Sequence, residues 1–209
     1  MTTDGLKATE RRAFRAVVDT GLWDVFLAAV FAMLAIAPLL SGTLGDFWSS
    51  AIFLPVYAAL YLALRIVQQR VVVPRVGQVR FGPDRTARLK RFTMVMLTVN
   101  VAALVVGLAG FALFERITGD WVFPVTLSFI LLIGCSAAAH FLEIPRLFLY
   151  GLLLAVAPMV GEWLFRQGYA SHHGFPVMFG IAAGVIAVVG LTKLVFVIRS
   201  QSPIVGDGA

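Results

Sequence analysis

An all-α, polytopic membrane fold, a helical bundle of six transmembrane helices with both ends in the cytoplasm, is what this sequence predicts. Of its 209 residues, 60% are hydrophobic and only 13% are charged. The apolar residues also gather into six runs, each near the length a helix needs to cross the hydrocarbon core, about 20 residues. Soluble domains run about 45–50% apolar and about 25% charged. A water-soluble chain of this size could not hide so much apolar surface in one core. In lipid every backbone N–H and C=O must be bonded within its own segment, so each run is read as a helix.

The first span is expected at about Leu22–Leu40, closed by the Ser41-Gly42 pair. Lys7, Arg11, Arg12 and Arg15 precede it, as in a signal peptide. The apolar stretch from Val25 to Leu40 is longer than a signal core, so an uncleaved first helix is expected. The second span is placed at Ser50–Val67 and the third at Phe92–Phe114. The fourth is Trp121–Phe141, the fifth Ile144–Phe165 and the sixth Phe175–Ile198. Only Leu142, Glu143 and their neighbours separate the fourth from the fifth. Pro145 marks a break there, because proline fits a first helical turn and its predecessor avoids α geometry. One continuous helix from Trp121 to Phe165 would be about 65 Å long, roughly twice the hydrocarbon thickness. A tight helical hairpin is therefore predicted. With no long linker, residues 1–209 are read as a single transmembrane domain.

Lysine and arginine set the orientation. Four basic residues precede the first span. The loop over residues 68–91 holds Arg70, Arg75, Arg80, Arg85, Arg88, Lys90 and Arg91 against one acid, Asp84. Lys193 and Arg199 close the last span. Six spans put all of these on one side, and the positive-inside rule makes that side cytoplasmic. The opposite loops carry Asp46, Glu115, Asp120 and Glu162, with only Arg116 and Arg166 as basic residues. Trp48, Trp121, Trp163 and Tyr169 fall near outer span ends, as interfacial aromatics do.

Several chemistries are excluded or disfavoured. The net charge of +6 is accounted for by topology and does not point to nucleic acid. One cysteine, Cys135, permits no internal disulfide. No phosphate-binding glycine loop, nucleophile elbow or zinc-protease helix is present. No cofactor is indicated: a haem bundle wants facing histidines within spans, and only His140 comes close. His172-His173 near Glu162 fall short of a metal site, which wants three ligands at fixed spacing.

Three groups remain as candidates. The first is the basic loop, where Arg75, Arg80, Arg85 and Arg88 could dock anionic headgroups or an acidic partner, or act only as a topological anchor. Val71–Val73 and Val76–Phe81 have strand-like composition, predicting an extended arm, with Asp84 capping a helix into the third span. The second is a polar cluster of Asp24, His140, Glu143 and Arg146, readable as a proton relay or as hydrogen bonding that fixes the hairpin. The third is Asn100, within a span, which could line a solute path or pack between helices. Pro158 predicts a kink. Gly180 with Gly184, and Ala103 with Gly107, are small-residue pairs that permit close helix approach.

Asp19-Thr20-Gly21-Leu22-Trp23-Asp24 and Pro74-Arg75-Val76-Gly77-Gln78-Val79-Arg80-Phe81 resemble segments of a group of small bacterial multi-pass inner-membrane proteins for which no activity is established. The resemblance implies a bacterial inner membrane and carries over no functional residue. The expected function is a non-enzymatic scaffold or accessory subunit with a basic cytoplasmic docking loop. Its expected partners are the lipid bilayer, anionic lipid and another membrane protein. A small-solute transporter or channel subunit is the alternative, and a membrane enzyme acting on lipid a third.

Overall fold

Apolar runs become helices throughout the computed structural model, which describes Phe14 and residues 19–76, 83–112 and 121–200. Six helices are long and apolar enough to cross a membrane, and the described residues include no strand. The all-α multi-pass class is therefore the one the sequence predicts. The helices are α1 (Leu22–Leu44), α2 (Asp46–Ala51), α3 (Phe53–Val67), α4 (Val73–Val76), α5 (Pro83–Ala112), α6 (Val122–Leu142), α7 (Arg146–Arg166) and α8 (Phe175–Ser200). The chain divides into two compact units, Met1–Phe81 with Ala183–Ala209, and Gly82–Ala182.

In the first unit α1 runs past its expected end. The Ser41-Gly42 pair does not end the helix: the hydroxyls of Ser41 and Thr43 donate to the carbonyls of Pro38 (2.8 Å) and Leu40 (3.1 Å) and stay within it. The stop comes at Gly45, whose φ of 76° only glycine adopts cheaply and whose N–H closes on Ser41 O. The second span also outruns its expected end. The chain passes from α3 through a π-helical turn at Gln68–Val72 into α4.

That turn corrects the strand-like reading of Val71–Val73, and Pro74 supplies the reason. Proline cannot donate to the carbonyl four residues back, and its ring crowds that carbonyl. A wide π turn just ahead, closed by the Val73 N–H on Gln68 O, accommodates it without ending the helix. Packing then overrides the β preference of valine: Val72 is buried with Leu22 and Leu64, against Phe26, Leu60, Val67 and Leu194. The rest of the expected arm, residues 77–81, lies outside the described residues.

The start of α1 and the last turns of α8 meet backbone to backbone. A methyl at Gly21 would sit 2.8 Å from Lys193 Cβ, and one at Gly190 2.8 Å from Asp24 Cβ. Gly184, by contrast, faces open space, so the Gly180/Gly184 pair is not where this close approach occurs.

In the second unit α6 and α7 form the predicted hairpin. Glu143 closes α6 in left-handed geometry (φ 57°), and Ile144 N–H donates to Ala139 O. Pro145 then precedes the first turn of α7. The hairpin helices pack tightly where Gly151 faces Cys135, since a methyl there would lie 2.8 Å from Cys135 Cβ. At the far end of α7, Gly161 abuts the short 3-10 turn His172–Gly174.

Candidate functional site

The basic segment that opens α5 lies against the α6–α7 hairpin of the same unit. Positions 85, 88 and 92 recur at helical spacing and present one face. Arg85 Nη1 is 3.4 Å from Glu143 Oε1, and Arg88 Nη1 hydrogen-bonds the same oxygen. Arg88 Nη2 donates to the backbone carbonyl of His140 at 2.9 Å. Phe92 continues the face one turn on, its ring 5.8 Å from that of Phe141. The left-handed backbone at Glu143 is what turns the chain where these arginines converge.

Burial decides what this contact is worth. Arg85 is only 8% exposed, and the Glu143 side chain 12%. A guanidinium that far from water is tolerable only when paired. Arg88 is a third exposed, so its share is more screened. The clamp therefore orders the basic segment rather than adding much net stability.

Beside the clamp, Ala87, Arg88, Arg91, His140 and Phe141 line a hollow of about 420 Å³. Ala87 and Arg91 occupy the helix face next to the clamp face. Arg91 and the His140 ring are exposed. The imidazole meets Phe141 edge-on at 5.4 Å.

The predicted site residues thus separate. Glu143 and His140 are brought together with Arg85 and Arg88, joining two groups that the sequence kept apart. Arg146 is half-buried in the first turn of α7. Asp24 belongs to the first unit, buried near the start of α1, where its cationic neighbour is Lys193. Arg75 turns back on its own helix, Nη1 donating to Val71 O at 2.8 Å. Arg80 lies outside the described residues. Asn100 is exposed, and its amide donates to Met96 O one turn back at 2.8 Å, within its own helix.

One cluster escaped the sequence reading, and a second was seen there only as His172-His173 near Glu162. Lys193 places Nζ 2.7 Å from Asp19 Oδ1. The signal was present as two acids, Asp19 and Asp24, flanking the start of the first span. In the second unit, buried Glu162 takes Arg166 Nε at 3.0 Å and His173 Nδ1 at 2.8 Å, while Arg166 lies over the Trp121 ring. His172, His173 and Gly174 all have positive φ, which directs the His173 ring to Glu162. Among the described residues no three metal-ligating side chains come together.

Comparison with protein-family models, with curated proteins and with solved structures finds no match to this chain.

Proposed function

We propose that this protein is a non-enzymatic scaffold or accessory subunit of a bacterial inner membrane, and that its basic cytoplasmic face docks anionic lipid. The observation that carries this reading is the clamp of Arg85 and Arg88 on Glu143. It fixes the start of α5 against the hairpin, so the neighbouring Lys90 and Arg91, both exposed, stand on an ordered surface. Each basic residue near an anionic leaflet contributes about 1 kcal/mol to its attraction, and an ordered set loses less conformational entropy on binding. The bacterial inner membrane and the cytoplasmic side rest on lysine and arginine asymmetry and on the two resembling segments. The transporter alternative rests on Asn100 and Pro158, and the Asn100 amide nitrogen donates within its own helix.

The test uses the whole protein in nanodiscs holding equal parts of phosphatidylcholine and phosphatidylglycerol. Lipids retained after transfer to mild detergent are counted by mass spectrometry. Enrichment of the anionic lipid is expected at low salt and should fade toward 1 M, where screening acts within about 3 Å. Equal retention of both lipids at low salt would reduce the basic face to a topological signal.

A further inference from the structure

We propose that the hollow lined by Ala87, Arg88, Arg91, His140 and Phe141 is a site for the phosphate headgroup of a single anionic glycerophospholipid. One acyl chain of that lipid lies along α5. The proposal rests on the lipid-docking reading above and names its site.

The lining chemistry is that of a phosphate receptor. Two arginines and a histidine line the hollow, and none of its five lining residues is acidic. A guanidinium offers five N–H donors in a fixed fork that matches a phosphate. Arg88 uses two of its nitrogens on Glu143 and on the His140 carbonyl, so its position is set before any ligand arrives. Arg91 is exposed and supplies the other half of the grip. A hollow of about 420 Å³ lies within the range of small-molecule sites, about 300–1,000 Å³. It has room for a phosphate with its glycerol.

The commitment to a lipid, rather than a free phosphate, comes from what continues the site. Ala87, Arg91, Met94, Thr98, Val101 and Val105 follow one another at alternating spacings of four and three, one stripe along α5. Below Arg91 the stripe is exposed and apolar at Met94, Val101 and Val105. Thr98 does not interrupt it, because its hydroxyl donates to Met94 O at 3.0 Å. The aromatic wall of Phe141 and Phe92 flanks the same end. A charged cup that leads into an apolar track fits a molecule with a phosphate at one end and a hydrocarbon tail at the other.

The experiment compares wild type with Arg91→Gln and Lys90→Gln in the same nanodiscs. Both variants remove one exposed positive charge from adjacent positions, but only Arg91 lines the hollow. Thermal unfolding of all three in detergent checks that they fold alike. Phosphatidylglycerol retention is expected to fall about fivefold in Lys90→Gln, which removes one charge's share of the general attraction, and about fivefold further in Arg91→Gln, which also removes the grip of the hollow. Glycerol 3-phosphate at millimolar concentration should leave the retained lipid in place. Equal losses in both variants, or no loss in Arg91→Gln, would overturn the site while leaving the docking reading intact. Displacement by glycerol 3-phosphate would make the ligand a free phosphate and overturn the lipid assignment. No preference for phosphatidylglycerol in wild type would remove the docking reading and this site together.

Discussion

A methyl group added at Gly190 would lie 2.8 Å from Cβ of Asp24 and 3.0 Å from the carbonyl oxygen of Gly21. Both neighbours are held at the start of a helix, so neither can withdraw cheaply. Gly190→Ala should therefore destabilise the protein by about 1–3 kcal/mol, the usual cost of overpacking. At Gly184 the same methyl meets nothing within 4 Å. Gly184→Ala should be neutral or stabilising by up to about 1 kcal/mol, through helix propensity alone. Unfolding titrations in mixed detergent read both, and equal effects would show that the close approach at Gly21 does not matter. The pair explains a limit of sequence reading. Spacing singled out Gly180 and Gly184, yet the tight contact is made by Gly190 with Gly21. A small residue is needed where two backbones meet, and the partner of Gly190 is far away in the sequence.

Helix boundaries were legible where composition changes abruptly, and missed where polar or β-branched residues are absorbed by a helix. The hairpin at Glu143 belongs to the first kind. A proline and two polar residues between apolar runs leave the backbone little choice. The continuation through Pro74 belongs to the second, because the π turn that admits it is a tertiary accommodation with no composition of its own. The salt bridge from Arg85 and Arg88 to Glu143 falls between these. All three residues were singled out, but in separate groups, since their pairing depends on how α5 lies against α6. That element contact makes a coupling prediction. Glu143→Gln should destabilise by about 3 kcal/mol, the lower end for breaking a buried pair, because Arg88 is partly exposed. Arg88→Gln in that background should add little, giving a coupling of about 1 kcal/mol or more. A double-mutant cycle on detergent unfolding measures it, and additive effects would mean that the two side chains do not act as a unit.

At the scale of the whole molecule, what matters is which ends share a side of the membrane. Lys193, seven residues before the end of α8, bonds Asp19, three residues before α1 begins. The start of the first span and the end of the last therefore lie at the same depth, which requires an even number of crossings. The six long apolar helices satisfy that requirement. Arginine contacts give a second check within the other unit, where the start of α5 meets the end of α6 through Arg88 and His140, as consecutive antiparallel spans must. Charge then chooses the side. Lys7, Arg11, Arg12 and Arg15 precede the first span, seven basic residues run from Arg70 to Arg91, and Arg199 sits in the last turn of α8. Two spans before the basic loop and four after it would put all of these on one side, which the positive-inside rule predicts to be the cytoplasm. Reporters fused after Gly82 and Gly206 should accordingly read cytoplasmic, and reporters after Gly45, Thr118 and Ser171 external. A cytoplasmic signal at Ser171 with an external one at Gly206 would mean that α6 and α7 do not both cross. The odd count would then separate Asp19 from Lys193 by the full thickness of the bilayer, so the same measurement would contradict that ion pair.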